Sequence, residues 1–337
     1  MSTEIMETPK YKFIEPILDE ASDRLTLFPL KYSSILDYFY KAQAMNWTDV
    51  EIDLSHDQSH WKKISVVDQQ FIKNILAFFA VSDKIIMDNI SNNFASEVKI
   101  PEVIHFYAQQ NYIEGVHNIT YNKIIDTIIQ DPNEKRDLFE AVKTMPGVAR
   151  KANWATKWFE SSRPFAERLL AAAVVEGIFF SGSFSAIFWL RNRYRGLMPG
   201  LIQANELIMR DEGLHQEFGV YLLVNIIEKK LQESVVHKIV SEAVEVEISF
   251  MTEALPTSLL GMNINLMSEH IKYVANRLIK QLGYSEIYTG VKQPFDFMTN
   301  MSITTVADFF GPSKETQYNI GDKYMGIPLE YNENDDF

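Results

Sequence analysis

The chain has no cysteine and little glycine or proline. Among its 337 residues there are only 14 glycines and 12 prolines. Without cysteine the protein cannot supply a thiol nucleophile, a CxxC redox pair, an iron–sulfur cluster or a thiyl radical. No stretch rich in glycine, serine or proline interrupts the middle of the sequence as a linker would. We therefore expect one large domain, and we expect any thiol chemistry to belong to a partner.

Positive charge is also scarce. The sequence has 32 Lys and Arg residues against 45 Asp and Glu residues, and its formal net charge is −13. This balance disfavours binding to a nucleic-acid backbone, and no block of Lys and Arg offsets it. Residues 1–12 are polar and charged and lack the apolar stretch of a secretory signal. We expect a cytoplasmic protein that does not bind nucleic acid directly.

One apolar run is long enough to cross a membrane. Residues 171–190 contain a single charged side chain, Glu176, and their length alone is that of a membrane span. A lone span would place this carboxylate in hydrocarbon at a cost of about 2.5–3.5 kcal/mol. A helix buried on all sides in a bundle is therefore favoured. Such a helix requires a cation or a hydrogen-bond donor near Glu176.

Helical periodicity covers most of the sequence, whereas alternating strand patterns are scarce. The clearest helical segments are residues 67–89, 102–129, 164–192, 202–231 and 233–255. Pro101 stands where the first residue of a helix is expected, and Asp131-Pro132 interrupts the pattern beyond that helix. The sequence therefore predicts an all-α fold with several helices of more than twenty residues.

The motif Glu-x-x-His occurs on two of these segments, beginning at Glu114 and at Glu212. Each copy places a carboxylate and an imidazole one turn apart on the same helix face. In four-helix carboxylate proteins the motif occurs twice, and two further helices each add an acid to a dinuclear metal site. Asp83 and Glu176 are acids embedded in otherwise apolar helices. The predicted ligands, which suit iron or manganese, are Asp83, Glu114, His117, Glu176, Glu212 and His215.

A third Glu-x-x-His pair, Glu102 and His105, lies on the same predicted helix as Glu114. Twelve positions rotate a helix face by roughly 120° and climb about 18 Å, so the two pairs cannot face one metal site. Glu102 is expected to serve the helix dipole in the first turn instead. His56 and His60 are spaced like a zinc-binding pair, but they follow the turn-like stretch 53–57 without other ligands and are interpreted as surface residues. His237 and His270 are interpreted as structural residues.

Tyr121 follows His117 by four residues, so its side chain lies on the metal-facing stripe about one turn away. Phe180, Phe184 and Ile208 stand at helical spacing from Glu176 or Glu212 and are expected to converge around the phenol. Read without the metal site, these would be ordinary core residues. Beside a dinuclear site, a tyrosine in a dry apolar pocket is what a stable phenoxyl radical requires.

Several long stretches match a known protein family in the right order. The most specific are WTDVEIDLS (47–55), FFAVSD (78–83), EGIFFSGSF (176–184), RDEGLH (210–215) and PFDFM (294–298). On these residues the sequence resembles the small (beta) subunit of class I ribonucleotide reductase, particularly its eukaryotic and viral branch. The similarity runs from about Phe28 to Phe337.

The resemblance implies a ferritin-like helical bundle in which the six predicted ligands bind two iron ions. It also implies that Tyr121 is oxidised to a stable radical when dioxygen reacts with the reduced metal pair. The radical is then passed to a cysteine of the large (alpha) subunit, where ribonucleoside diphosphates become deoxyribonucleotides. This division of labour fits a chain without cysteine. Manganese remains an alternative to iron, because both metals accept these ligands.

Residues outside the ligand set match the family's electron relay. Trp47 matches the relay tryptophan, which is linked to His117 through Asp211. From the residues alone, Asp211 is a candidate hydrogen-bond partner for a metal-bound imidazole, whereas Trp47 would read as an ordinary aromatic residue. Tyr318 is assigned as the tail tyrosine of the relay, and Tyr324 and Tyr331 remain rivals.

The resemblance also predicts domains and partners. Residues 1–20 are expected to be a flexible N-terminal segment, residues 21–311 the ferritin-like radical-generating domain, and residues 312–337 a flexible tail that docks on the large subunit. The small subunit is expected to form a homodimer. Two departures stand out: the connection 191–196 is longer than usual, and the tail matches the family poorly apart from its acidic end in Phe337.

Two rival interpretations remain open. Another ferritin-like dinuclear protein, such as an oxidase or an iron-storage relative, would use the same six ligands but would need neither Tyr121 nor Trp47 nor a tail. A regulatory subunit with a decayed site would have lost ligands. All six are present in this sequence.

Overall fold

Helices dominate the structure, as the periodicity predicts. The computed structural model describes residues 13–255, 259 and 261–298, and the chain as far as Phe295 forms one compact unit. Within the described residues, β structure is limited to an isolated bridge between Leu259 and Met262. The predicted all-α, ferritin-like class is confirmed. The predicted boundary between residues 311 and 312 lies outside the described residues.

The α-helices of the described part are numbered here in chain order. They are α1 Ser33–Ala44, α2 Asp57–Trp61, α3 Val66–Asn89, α4 Ala95–Glu97, α5 Pro101–Ile128, α6 Pro132–Phe139, α7 Ala141–Thr144, α8 Pro146–Phe159, α9 Phe165–Val174, α10 Ser181–Arg193, α11 Pro199–Tyr221, α12 Glu233–Ala254 and α13 Ile264–Gln281. Three π-helical turns adjoin them, Ile90–Phe94, Val175–Phe179 and Leu222–Ile226, and short 3₁₀ turns span Pro16–Leu18, Glu20–Ser22 and Asp49–Glu51.

The core lies between two helix pairs. Helix α3 packs along α5, and α9 packs along α11. The pairs are joined because α5 also contacts α11 and α10 contacts α3. Helix α12 closes one side of this core by packing on α8, α13 and the π turn that follows α9. The two halves of the chain therefore each contribute one pair.

Local capping fixes where the site-bearing helices begin. Ser65 caps α3, because its Oγ accepts a hydrogen bond from the backbone N–H of Asp68 at 3.2 Å. Pro101 is the first residue of α5, where a proline loses no helical hydrogen bond. Helix α11 is capped from a distance: the buried carboxylate of Asp57 accepts the N–H groups of Gly200 and Leu201 at 3.1 and 2.7 Å.

The segment predicted as one helix over 164–192 is interrupted in the structure. Helix α9 ends at Val174, the π turn Val175–Phe179 follows, and α10 begins at Ser181. The π turn lies hard against α11, because a Cβ added at Gly177 would lie 1.7 Å from Gln216 Nε2. Glycine permits this close approach, and the extra residue of a π turn changes which side chains face the core.

The helix predicted over 202–231 is also shorter than its periodicity indicates. Helix α11 ends at Tyr221, and the following π turn ends at Ile226. The ammonium group of Lys230 turns back and donates hydrogen bonds to the carbonyl oxygens of Leu223, Val224 and Ile227 at 3.0, 2.7 and 2.6 Å. A cation on these last carbonyls satisfies acceptors that lack a helical partner.

The apolar stretch around Glu176 is a core element. Residues 165–193 are long and apolar enough to span a membrane, but 94% of their most apolar window is buried inside the protein. This burial is that of a central helix in a bundle, which is the interpretation that the sequence favours.

Candidate metal centre

The six predicted ligands come from four segments of the core. Asp83 lies on α3, the pair Glu114 and His117 on α5, and the pair Glu212 and His215 on α11. The sixth, Glu176, lies in the π turn Val175–Phe179. All six side chains are buried, and none is exposed by more than 5%. Four carboxylates and two imidazoles are thus removed from water together.

The donor atoms of this set converge. One ligand atom from each of Glu114, Glu176, Glu212 and His215 lies within 4.8 Å of the other three. His215 Nδ1 lies 3.1 Å from Glu114 Oε1 and 3.2 Å from Glu212 Oε2. His117 Nδ1 lies 3.1 Å from Glu212 Oε1 and 3.6 Å from Glu114 Oε2. The two motif glutamates therefore stand between the two imidazoles.

Asp83 adjoins the His117 half of the cluster. Its Oδ1 accepts a hydrogen bond from Ser82 Oγ at 3.1 Å. Burial raises the pKa of Asp83 well above its ordinary value, and the neighbouring charge of Glu114 adds to this rise. The structure therefore separates two overlapping sets. One contains Asp83 and His117, the other contains Glu176 and His215, and the two motif glutamates are shared.

Unpartnered donor atoms test whether a metal pair fits these residues. Among the described residues no hydrogen-bond partner is found for Asp83 Oδ2, either oxygen of Glu114, His117 Nδ1 or Glu212 Oε1. Buried polar atoms without partners are costly, and buried carboxylates require compensating charge. Two divalent cations would satisfy these atoms and neutralise four carboxylates. The residues present therefore fit a dinuclear centre.

The pKa values of two carboxylates of the cluster are shifted in opposite directions. Although burial alone would raise the pKa of Glu114, the imidazoles of His117 and His215 hold it at about 2. Burial raises the pKa of Glu176 well above its ordinary value, while His215 acts in the opposite direction. The surroundings thus favour the charged form of Glu114 and disfavour the charged form of Glu176.

A small cavity borders the Glu176 half of the centre. Its volume is about 10 Å³, and its lining includes Asn89, Tyr107, Glu176 and His215. Gln110, which also lines it, donates a hydrogen bond to Glu176 Oε1 at 2.6 Å. A volume of this order accommodates about one water molecule. Only very small molecules can therefore approach the ligands through this cavity.

Tyr121 occupies an apolar aromatic pocket. Its side chain is buried, and its hydroxyl group has no hydrogen-bond partner among the described residues. The ring stacks on Phe79 with centroids 4.4 Å apart, and Phe180 and Phe184 pack in turn against Phe79. The ring that lies directly on the phenol is thus Phe79, which the sequence analysis did not single out. The predicted contact with Ile208 stays a prediction.

Helical spacing is the signal that could have identified two supporting residues. Phe79 stands four residues before the predicted ligand Asp83, and Gln110 stands four residues before Glu114. Each therefore shares a helix face with a ligand. The same spacing led to the prediction of Phe180 and Phe184.

A hydrogen-bonded path links the centre to Trp47. The indole Nε1–H of Trp47 donates to Asp211 Oδ2 at 2.7 Å, and the same oxygen lies 3.1 Å from His117 Nε2. The indole and imidazole rings are stacked with centroids 5.8 Å apart. Asp211 is therefore the carboxylate partner of His117, and it leaves Nδ1 of that ring facing the cluster.

Arg210 fixes the other oxygen of Asp211. Its guanidinium group donates to Asp211 Oδ1 at 3.1 and 3.3 Å and to the carbonyl oxygen of Met45 at 2.5 Å. This bridge ties the segment that carries Trp47 to α11. Arg210 belongs to the RDEGLH stretch, but the sequence alone does not indicate its role.

The third Glu-x-x-His pair has a different task from the one predicted. Glu102 is fully buried and does not simply serve the helix dipole. Its carboxylate binds Arg24 at 2.5 Å and accepts the backbone N–H groups of Lys31 and Tyr32 at 3.0 and 3.2 Å. Glu102 therefore attaches the segment before α1 to the start of α5. His105 is exposed, and its Nδ1 contacts the carbonyl oxygen of Pro101.

The remaining histidines are surface or structural residues, with one refinement. His56 is exposed and His237 is half-buried. His60 is half-buried as well, and its Nδ1 accepts the N–H of Met198 at 3.2 Å, so it supports the start of α11. His270 is buried between Ser185 and Gln293, and burial lowers its pKa to about 4. It is a neutral core histidine.

The predicted tail residues lie outside the described part of the chain. This applies to Tyr318 and its rivals Tyr324 and Tyr331, and to the acidic end at Phe337. Their assignment remains a prediction.

The fold and the site together define a class of protein. Two helices with Glu-x-x-His and two further segments with one acid each face a common buried centre. This is the arrangement of ferritin-like dinuclear carboxylate proteins.

Comparisons with known proteins identify the family within that class. The model of the family "Ribonucleotide reductase, small chain" matches residues 24–294. The sequence is 47% identical over 297 residues to the ribonucleoside-diphosphate reductase small chain of Variola virus, covering 88% of this chain and 92% of that protein. It is 48% identical to a ribonucleoside-diphosphate reductase small chain of Arabidopsis thaliana, covering 88% of each.

Comparisons with solved structures agree with this family assignment. The Rnr4 homodimer of the Saccharomyces cerevisiae ribonucleotide reductase has a TM-score of 0.76 at 32% identity, covering 88% of this chain and 92% of that chain. The dimanganese(II)-NrdF of Streptococcus sanguinis shares the fold, with a TM-score of 0.72 at 18% identity and with 83% and 99% of the two chains covered. The chain belongs to the family of ribonucleotide reductase small chains, and it is a small subunit of ribonucleoside-diphosphate reductase.

The ligand assignment predicts which substitutions remove metal. Glu212→Ala and His215→Ala are each expected to lose most of the bound metal, because each removes a donor from the buried cluster. The measurement is the metal content per chain after loading with ferrous iron and desalting. Glu102→Gln and His105→Ala alter the other Glu-x-x-His pair and are the matched controls, expected to retain wild-type content. Equal metal loss in the controls would contradict the assignment.

Proposed function

We propose that this small subunit uses a dinuclear metal centre to oxidise Tyr121 and lends that oxidising power to a large subunit. The observation that carries the proposal is the buried cluster with five unpartnered donor atoms, adjoined by a dry phenol on one side and a hydrogen-bonded indole on the other. The proposed ligands are Asp83, Glu114, His117, Glu176, Glu212 and His215.

Iron is the proposed metal, with manganese as the alternative. The donor set contains four carboxylates and two imidazoles and has no thiolate, a combination that both metals accept. A dimanganese form is named for the Streptococcus sanguinis relative. When bound in its reduced state, the metal pair supplies the electrons that activate dioxygen.

Tyr121 is suited to lose an electron and a proton together. Burial raises the pKa of its phenol well above the ordinary value, and the negative charges of Asp83, Glu212 and Glu114 add to this effect. The phenolate is therefore not formed in advance, and oxidation must remove the proton as well. The product is a neutral radical, which an apolar pocket does not penalise. The stacked ring of Phe79 keeps water from one face of the phenol.

Trp47 and Asp211 are proposed to carry the electron between the centre and the surface that meets the large subunit. The 2.7 Å hydrogen bond from the indole to Asp211 and the contact of that oxygen with His117 form a continuous path. Because Asp211 Oδ2 is shared, a proton on either ring nitrogen can shift as the electron moves.

The proposed assembly of the subunits is based on the same family. We propose a homodimer, in line with the relative whose structure is described as the Rnr4 homodimer. We further propose that residues 312–337 dock on the large subunit, with Tyr318 as the relay tyrosine, and that the pair works in the cytoplasm. Residues 21–311 would then be the radical-generating domain and residues 1–20 an N-terminal extension.

The radical assignment is tested by Tyr121→Phe. After ferrous iron and oxygen are added to the metal-free protein, the wild type is expected to show a tyrosyl signal in its electron paramagnetic resonance spectrum. Tyr121→Phe should bind the same metal without this signal, since phenylalanine has no phenolic proton to lose. Tyr107→Phe is the matched control, because Tyr107 is also a buried phenol of α5 without a hydroxyl partner among the described residues. A signal that persists unchanged in Tyr121→Phe would remove Tyr121 from its role.

The relay is tested by Trp47→Phe. This change removes the donor to Asp211 but keeps an aromatic ring, so metal content and the Tyr121 radical should stay near wild type while nucleotide reduction slows greatly. Turnover is measured with the large subunit present. Trp158→Phe is the control, since Trp158 is likewise buried and donates its indole N–H to an acid, Glu242, at 3.2 Å. Unchanged turnover in Trp47→Phe would show that the relay runs elsewhere.

The docking role of the C-terminal end is tested by deletion of residues 332–337. The truncated subunit should keep its metal and its radical but lose reductase activity, because Phe337 would anchor in an apolar pocket and the two adjacent aspartates would steer the encounter. A free peptide of the same sequence should inhibit the full-length pair by competition. Full activity of the truncated subunit would show that its folded body alone holds the partner.

A further inference from the structure

A buried ion pair outside the predicted site contacts the π turn that carries Glu176. Lys151 of α8 and Glu247 of α12 are exposed by only 2% and 0%, and Lys151 Nζ lies 2.6 Å from Glu247 Oε2. Lys151 also donates a hydrogen bond to the carbonyl oxygen of Phe179 at 2.7 Å. Phe179 is the last residue of the π turn that carries Glu176.

Stability alone is a weak reason for this pair. Burial lowers the pKa of Lys151 to about 8, although Glu247 acts to raise it. Burial likewise raises the pKa of Glu247 to about 7, although Lys151 acts to lower it. For both groups the effect of burial on the pKa thus exceeds the opposite effect of the charged partner. Replacing such a pair by apolar residues of similar volume is often neutral or stabilising.

The residues around the ion pair leave space for both charged groups. A Cβ added at Gly182 would lie 2.7 Å from Glu247 Oε1, so glycine at this position of α10 leaves room for the carboxylate without a shift of the Glu247 side chain. The ammonium group also lies 3.2 Å from the ring centroid of Phe78 and 4.3 Å from that of Phe250, distances of cation–π contact.

These contacts connect the ion pair to the π turn that carries Glu176 and to the aromatic pocket of Tyr121. Along the backbone, the Phe179 carbonyl is three residues from Glu176, inside a π turn, a form of helix that is rare and less favourable than the α-helix. Through the side chains, Phe78 packs on Phe180 with centroids 5.5 Å apart, and Phe180 packs on Phe79, the ring stacked on Tyr121. The ammonium group thus holds the end of the turn and one wall of the aromatic pocket.

We propose that Lys151, held in place by Glu247, is a positioning residue that keeps the π turn Val175–Phe179 in register, so that Glu176 faces the metal centre and Phe180 closes the Tyr121 pocket. Without the Lys151 hydrogen bond, the turn can relax towards the α-helical register, and Glu176 then points away from the shared glutamates. The proposal rests on the proposed function, since it gives a reason for the geometry of one of its ligands.

The main test removes both charges together. Lys151→Met with Glu247→Met leaves no orphaned charge and is expected to fold with its thermal unfolding midpoint unchanged or raised. The full-length variant should nevertheless bind Mn(II) about 10- to 100-fold more weakly than the wild type, the range typical when support of a metal ligand is lost. In the metal-free variant, amide hydrogen exchange should rise in residues 175–180 and stay unchanged in α11. The tyrosyl signal should decay faster.

An ion pair on the helix that leads into the π turn serves as the control. Arg168 of α9 is buried and binds both oxygens of Glu97, a half-buried residue of α4, and within the described part of the chain its hydrogen bonds go to Glu97 and Arg163 and not to the π turn. Arg168→Met with Glu97→Met should keep wild-type Mn(II) affinity and wild-type exchange in residues 175–180. A reduced affinity in this control, equal to that of the Lys151 variant, would show a general effect of lost ion pairs and overturn the proposal.

The other possible results of these experiments also test the positioning role of Lys151. Wild-type Mn(II) affinity and exchange in the Lys151/Glu247 variant would overturn the positioning role. Global unfolding of this variant would overturn it too, because the pair would then serve stability. Failure of the wild type itself to bind Mn(II) or iron would count against the proposed function instead, so the two failures are distinguishable.

Discussion

The structure depends on the burial of four carboxylates and two imidazoles at one point of an apolar core. In isolation each anion there would cost several kcal/mol, because low-dielectric surroundings replace water. Hydrogen bonds from Gln110 and Ser82 reach only Glu176 and Asp83, and for five donor atoms of the cluster no hydrogen-bond partner is found among the described residues. The folded protein is therefore preorganised for positive charge. Metal binding and the integrity of this core are coupled, since the cation satisfies what the protein leaves open.

The support around the cluster follows from this constraint. A ligand can be held only as firmly as the helix beneath it, and three of the segments that carry ligands are fixed by contacts from another part of the chain. Asp57 caps α11, Glu102 binds the segment before α1 to α5, and Lys151 holds the end of the π turn. These three contacts all use buried charged groups on main-chain or guanidinium partners. Polar groups in this core thus serve geometry more than stability.

The sequence predicts the helices and the ligand spacing because both are local properties. A carboxylate and an imidazole three residues apart share a helix face whatever surrounds them, and a long apolar period marks a buried helix. Contacts between distant segments leave no trace in helical periodicity. The π turn that carries Glu176 lies close to Gln216 of α11 at Gly177, and Lys151 and Glu247 meet although 96 positions separate them (247 − 151). Such features become visible only when the segments are packed together.

The closure of the centre is consistent with the proposal that the chemistry is shared with another subunit. The cavity beside Glu176 holds about one water molecule, so no nucleotide can reach the ligands through it. The sequence also has no cysteine to receive a radical. In the proposed mechanism, an oxidising equivalent produced here would therefore leave by electron transfer through the protein. Among the described residues, a hydrogen-bonded path runs from His117 through Asp211 to Trp47. Arg210 fixes the geometry of this path, because it binds both Asp211 and the backbone carbonyl of Met45. The dry pocket that we propose for a Tyr121 radical and the proposed relay through Trp47 are thus two consequences of the same closed core.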